Sequence, residues 1–175
     1  AGQGTGLDVQ LLVADQWSNI VTYDYDAPTI TSLSPTSFET KGGSSELLTL
    51  TGTSFGSSGN VIVDSNYECV PTSGGWGHTQ IICAVPELTF SDGVSVNIQV
   101  NVSNQLSNVE TYSYDAPTIS SVSPSSYPTE GSTVSLKILT ITGTSFSTDG
   151  TVTVDGNDCD IDDVNTFYDH NVITC

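Results

Sequence analysis

The sequence predicts an all-β chain built of tandem sandwiches. Three observations predict it: an internal repeat offset by 89 residues, short alternating apolar and polar stretches bounded by turn formers, and two similarly spaced cysteine pairs. The repeat is clearest where Tyr23-Asp24-Tyr25-Asp26-Ala27-Pro28-Thr29-Ile30 returns as Tyr112-Ser113-Tyr114-Asp115-Ala116-Pro117-Thr118-Ile119. Ser32-Leu33-Ser34-Pro35 then matches Ser121-Val122-Ser123-Pro124. Leu48-Thr49-Leu50-Thr51-Gly52-Thr53-Ser54-Phe55 matches Leu139-Thr140-Ile141-Thr142-Gly143-Thr144-Ser145-Phe146, and Val61-Ile62-Val63-Asp64 matches Val152-Thr153-Val154-Asp155. At the other end, Val9-Gln10-Leu11-Leu12-Val13 and Ser18-Asn19 resemble Val96-Asn97-Ile98-Gln99-Val100 and Ser107-Asn108. Residues 1–26 therefore read as the C-terminal part of a repeat, 27–115 as a complete repeat, and 116–175 as the N-terminal part of a further one.

In the complete repeat, period-2 segments set off by Gly, Pro, Ser and Asp turns place strands near 29–33, 47–51, 60–64, 67–70, 79–84, 94–102 and 108–114. No helical periodicity of useful length appears. About seven strands in about 90 residues is the count of an immunoglobulin-like sandwich.

Composition narrows the function classes. Twenty acidic residues stand against Lys41 and Lys137, with no Arg, giving a formal charge of −18. Phosphate backbones and anionic lipid headgroups would repel such a chain, so nucleic acid is excluded as a partner. No apolar run approaches the roughly 20 residues of a membrane helix, and direct membrane insertion is not expected. The chain lacks the start of a signal peptide and contains no Met, and is read as a mature product or an internal piece. Hydrophobic residues make up 36% and fall in alternating stretches, which predicts a folded chain despite the acidity. Cys69, Cys83, Cys159 and Cys175 lie at repeated spacing in a Ser-, Thr- and Gly-rich chain, which favours disulfides and an oxidising compartment. No CxxC occurs, and His78 and His170 are not at ligand spacing from any cysteine.

The order Pro-x-Ile-x-x-Leu/Val-x-Pro, Leu-Thr-Gly-Thr-x-Phe, Val-x-Val, Cys, Ile-x-Cys and a closing Tyr-x-Tyr resembles the IPT/TIG domain of plexins, related receptors and many protist and bacterial surface proteins. The resemblance covers essentially the whole chain. It implies pairing of Cys69 with Cys83 and of Cys159 with Cys175. Transcription factors also use this fold, through basic loops that the acidic chain lacks.

Candidate sites are few. Gly52-Thr53-Ser54-Phe55-Gly56 fits the G-x-S-x-G nucleophile pattern, but that chemistry needs a strand-turn-helix elbow, whereas this segment joins two expected strands and the second repeat reads Gly143-Thr144-Ser145-Phe146-Ser147. No catalytic residues and no cofactor are expected. Asp155, Asp158, Asp160, Asp162 and Asp163 form a weak candidate for Ca²⁺, without the Gly or terminal Glu of an EF-hand loop, and read first as a solvated acidic loop. Asn101-Val102-Ser103 is an N-glycosylation sequon at the end of a strand. Ser34, Thr36, Ser37, Ser123, Ser125 and Ser126 flank Ser-Pro steps and are candidates for O-glycans. His78, His170 and Trp76 are expected on loops, with Trp17 and Trp76 exposed.

These features predict an extracellular or cell-surface structural protein, a repeat subunit of a glycosylated filament or fibre. The alternative is a receptor or adhesin ectodomain that binds a protein or carbohydrate ligand. The framing of the chain admits continuation in a longer repeat chain, the favoured reading, or self-association into a linear head-to-tail assembly in which a neighbour's strands complete each partial repeat.

Overall fold

In a computed structural model of the chain, residues 2–87, 95–127, 138–159 and 167–175 are described. They contain strands and no helix. The N-terminal strands are β1 (Leu7–Val9), β2 (Leu12–Val13), β3 (Gln16–Trp17) and β4 (Val21–Tyr23). Then come β5 (Thr29–Ser34), β6 (Ser37–Phe38), β7 (Leu47–Thr53), β8 (Asn60–Val63), β9 (Tyr67–Glu68), β10 (Val70–Trp76), β11 (Gln80–Ala84), β12 (Ser95–Val102), β13 (Gln105–Leu106) and β14 (Glu110–Tyr114). The last are β15 (Thr118–Ser123), β16 (Thr140–Thr144), β17 (Val152–Val154), β18 (Asn157–Cys159), β19 (Phe167–Tyr168) and β20 (Val172–Thr174).

The described residues fall into two compact units. The first holds residues 2–36, 43–86 and 95–113, and the second holds 37–42, 87, 114–127, 138–159 and 167–175. In the first unit, one antiparallel sheet runs β10-β11-β7-β5 and another runs β14-β12-β8-β9, with β13 paired to β12. The inward set follows the period-2 rule: Val96, Ile98, Val100 and Val102 of β12 are buried, and so are Leu48 and Leu50 of β7. Ile30, Phe55, Val61, Val63, Ile81, Val85 and Tyr112 complete this core. The second unit has a sheet β15-β16-β20-β19, a β17-β18 hairpin and a small core of Ile141, Phe146, Ile173 and Cys175.

The Gly-Thr-Ser-Phe motif has a packing reason in both repeats. The strand before it meets its partner through a bulge, between Ile30 and Ser32 on β5 and between Ile119 and Ser121 on β15. A Cβ on Gly52 would lie 2.0 Å from the Thr29 carbonyl oxygen and 2.5 Å from the Phe55 ring; on Gly143 it would lie 1.9 Å from Thr118 O and 2.4 Å from the Phe146 ring. Glycine is what lets the phenylalanine fold back over the bulge. Ser54 and Ser145 follow with φ of 60° and 57°, turning the ring inward.

Both cysteine pairs are bonded, Cys69 to Cys83 and Cys159 to Cys175. The structure corrects the expectation of one strand over 67–70. The chain changes sheets at Cys69: β9 pairs with β8, while β10 pairs with β11, so the Cys69–Cys83 bond staples the two sheets where one strand ends and the next begins. The strand β10 was not expected, because Pro71, Gly74 and Gly75 read as a loop. It forms at a sheet edge, with a register shift between Pro71 and Trp76, where a missing N–H and flexible glycines are tolerated. In the complete repeat the short strands β6 and β13 were also absent from the expectation, and β13 has a counterpart in the N-terminal segment, β3. The last two close two-residue hairpin turns whose central residues, Ala14-Asp15 and Ser103-Asn104, all have positive φ as type I′ turns require.

Two outcomes follow for stability. Removing the sheet staple as Cys69→Ser with Cys83→Ser is expected to cost about 3 kcal/mol in denaturant unfolding of the first unit, from the closed loop of 14 residues' separation. Gly52→Ala is expected to cost about 2 kcal/mol by overpacking against backbone that cannot yield, and Gly77→Ala, whose nearest contact is a looser 3.1 Å, distinctly less.

Candidate interaction surfaces

The residues singled out in the sequence do not converge on a chemical centre. Ser54 sits in a strand-to-strand turn, and no described hydrogen bond joins its hydroxyl to a base. Asp155 lies in the β17–β18 turn with φ of 51°, and Asp158 is on β18; both are exposed. Asp160, Asp162 and Asp163 lie outside the described residues. Among the described residues no group of three His, Cys, Asp or Glu side chains is arranged to hold a metal. Asn101 is near the end of β12, opposite Asn60 and Leu106, half-buried, with its Oδ1 enclosed and unpaired. Ser34, Thr36, Ser37, Ser123, Ser125 and Ser126 are all exposed.

Trp76 is not an exposed loop residue. It ends β10, is half-buried, and its indole N–H donates to the Phe55 carbonyl at 3.0 Å. Trp17 on β3 is exposed. His78 is exposed, but His170 is buried, contrary to the expectation of a free loop histidine. The Ser147 N–H donates to Thr40 Oγ1 at 3.0 Å, Thr40 Oγ1 and His170 Nδ1 share a hydrogen bond of 3.0 Å, and Nε2 is 2.9 Å from Glu87 Oε1. A carboxylate only accepts, so Nε2 is the nitrogen that carries a proton toward Glu87. These bonds also tie residues 40 and 87, from the complete repeat, to 147 and 170 of the next.

A second polar joint lies in the first unit. The Gln3 side chain accepts from Ser57 N–H at 3.0 Å and donates to Ser58 O at 3.2 Å and Ser103 Oγ at 3.0 Å. The Gln105 amide donates to Tyr25 O at 3.0 Å, and Tyr25 N–H donates to Gly4 O at 2.9 Å. In both joints the corner just after the buried phenylalanine, Ser57 or Ser147, donates its backbone N–H to a polar side chain of the preceding repeat. Beside the Gln3 joint is a cleft of about 390 Å³, lined among others by Tyr23, Asp24, Tyr25, Asp26, His78 and Gln105. The Tyr23 and Tyr25 rings meet edge to face at 5.1 Å. None of the long-range partners in the joints was legible in the sequence; their one signal was that His78 and His170 occupy equivalent places before the second cysteine.

The repeat read from the residues and the sandwich seen in the structure coincide with a family model, the IPT/TIG domain, which matches residues 28–114 and 117–175. The chain belongs to the IPT/TIG family. Its repeats are immunoglobulin-like sandwiches, and Gly52, Phe55 and the cysteine pair are the places where packing imposes the family pattern on this TIG chain. Among solved structures, SGBP-B from a complex xyloglucan utilization locus in Bacteroides uniformis is similar at 19% identity and a TM-score of 0.40, over 85% of this chain and 42% of that one. A crystal structure with xylogluco-oligosaccharide is similar at 18% identity and a TM-score of 0.37, over 99% of this chain and 49% of that one. The TIG chain thus spans less than half the length of either. No curated protein is a match to the sequence.

The His170 joint has a measurable consequence. His170→Ala removes both side-chain bonds and leaves the buried Thr40 hydroxyl without its imidazole partner, and is expected to cost about 1–3 kcal/mol in denaturant unfolding. The equivalent His78→Ala, at an exposed position, is expected to change stability by less than about 0.5 kcal/mol.

Proposed function

We propose that the chain is an extracellular structural protein, a TIG-repeat subunit of a glycosylated filament or cell-surface fibre, and not an enzyme. The observation that carries this reading is the hydrogen-bonded joint in the first unit, where Gln3, Tyr25 and Gln105 bind the linker and the segment before it onto the complete repeat. A load-bearing series of repeats needs joints that do not flex freely, and a proline-marked linker clamped at both backbone and side chain supplies that stiffness. Two disulfides suit an oxidising, extracellular or cell-surface setting. The exposed Ser and Thr residues around Pro35 and Pro124, and the sequon at Asn101, are where glycans would shield the surface. The partner in this reading is the protein itself, or further repeats of the same chain, and no cofactor enters it; Ca²⁺ at the acidic turn after β17 is a secondary feature.

One observation favours a second reading, a receptor or adhesin ectodomain. The tyrosine-lined cleft offers aromatic surface beside Asp24, Asp26 and Gln105, a combination suited to a sugar ring with its hydroxyls, and Trp17 adds an exposed aromatic.

Electron microscopy of the native material, with a denaturing gel before and after deglycosylation, separates the two. Long particles with a periodicity of one or two domains, and a mass that falls on deglycosylation, are expected. Discrete monomers near the 18.3 kDa sequence mass would overturn the fibre and leave the adhesin reading.

A further inference from the structure

We propose that the outer face of the N-terminal hairpin, centred on Trp17, docks a basic peptide segment of another protein, with a lysine ammonium or arginine guanidinium over the indole. The inference goes beyond the fibre reading and holds for a filament and a monomer alike.

Four short strands build the face. β1 pairs with β4 and β2 with β3, and Leu12 lies directly opposite Trp17 near the tip. Residues opposed in this way share one face of a sheet. Leu12, Trp17 and nearby Ile20 are 48, 65 and 53% exposed. Apolar side chains grouped at a surface mark an interaction site, and a flat indole is the one among them that also attracts charge.

Each of these positions has a counterpart 89 residues on in the complete repeat, where the same face also looks outward. Leu106 and Val109, the counterparts of Trp17 and Ile20, are 51 and 52% exposed, whereas Val96, Ile98, Val100 and Val102 on the opposite face of that sheet are at most 3% exposed. The face of Trp17 is therefore one that a complete sandwich leaves to solvent, and its openness belongs to the repeat itself.

What differs between the two hairpins is chemistry, with the geometry held constant. Asn101 faces Leu106 in the complete repeat as Leu12 faces Trp17 in the N-terminal hairpin. Asn97 and Asn104 are neutral, and their counterparts are Asp8 and Asp15. Asp8 is exposed and pairs with Thr22, on the outer side of the alternation. Asp15 sits in the two-residue turn with φ of 64°, two residues before Trp17. The N-terminal hairpin thus replaces a neutral aliphatic face with an aromatic one flanked by carboxylates, and no Lys or Arg precedes Lys41.

Charge complementarity selects the occupant. A cation gains from the indole ring and from the carboxylates beside it, an anion is repelled by the −18 charge of the chain, and a neutral sugar gains from the ring alone. A second copy of this chain does not supply the cation, because its two lysines, Lys41 and Lys137, stand among 20 acidic residues. Asp8 lies four residues from Leu12, roughly 13 Å at the rise of a strand, so a short extended peptide reaches both the indole and the second carboxylate.

Fluorescence anisotropy of the rhodamine-labelled peptide acetyl-Lys-Leu-Lys-Leu-Arg-amide, titrated with the 175-residue chain at low and high salt, is the test. Saturable binding that weakens as salt is raised is expected, with no binding of the counterpart in which glutamate replaces each cation. Trp17→Leu is expected to weaken it about threefold, the loss of one exposed cation–π contact. Asp8→Asn with Asp15→Asn is expected to weaken it about fivefold, whereas Asp115→Asn with Asp149→Asn, the same change of charge at exposed sites elsewhere, leaves it unchanged. The first three substitutions install the residues that the complete repeat carries at the same places, so the hairpin keeps its fold. No saturable binding, an affinity untouched by Trp17→Leu, equal loss in the two aspartate pairs, or a Trp17 emission that responds to cellohexaose and not to the peptide would overturn the proposal.

Discussion

A β-sandwich sheet can present an apolar face only because a second sheet covers it. Every other feature of this chain depends on that constraint. Within the first unit the constraint is met: β12 and β7 alternate buried and exposed residues along their lengths, and the inward residues of both sheets reach full burial. The Cys69–Cys83 bond sits where the chain crosses from one sheet to the other, so the covalent link and the topological switch fall at one residue. Leu11 and Val100 each donate a backbone N–H to a serine hydroxyl, and the difference between buried Val100 and exposed Leu11 is one of neighbours, not of local structure.

The all-β class, the repeat and most strands could be read directly from the sequence because they depend on short-range signals. Alternation over five to eight residues, as in Val96 to Val102, and a turn former at each end suffice to mark a strand. The cysteine pairs were visible as a repeated spacing. What escaped was set by partners distant in the chain. Strand β10 carries Pro71, Gly74 and Gly75, which argue against a strand until the edge position is known. His170 looked like a loop histidine because Thr40 and Glu87, which bury and bind it, lie 130 and 83 residues away. Trp76 looked free because the carbonyl that takes its N–H belongs to Phe55, across the fold. The candidate surfaces were the least legible part, since a cleft beside Gln3 exists only once residues 3, 57 and 103 have been brought together.

Two cations among 175 residues leave little room for ion pairing, and the structure relies on other means. Neutral side chains make long-range polar contacts: Gln3, Gln105, Asn108 and Thr40 each bind backbone atoms from a distant segment. Such bonds do not weaken as salt screens charge.

The Ser18 hydroxyl, which accepts from Leu11 N–H and donates to Asn19 O, closes the bulged part of the N-terminal hairpin on itself. The Ser18 N–H also donates to Leu11 O at 2.9 Å, so this part of the hairpin is held by its own bonds. One serine hydroxyl thus sets the register of this hairpin from within, as Ser107 does in the complete repeat.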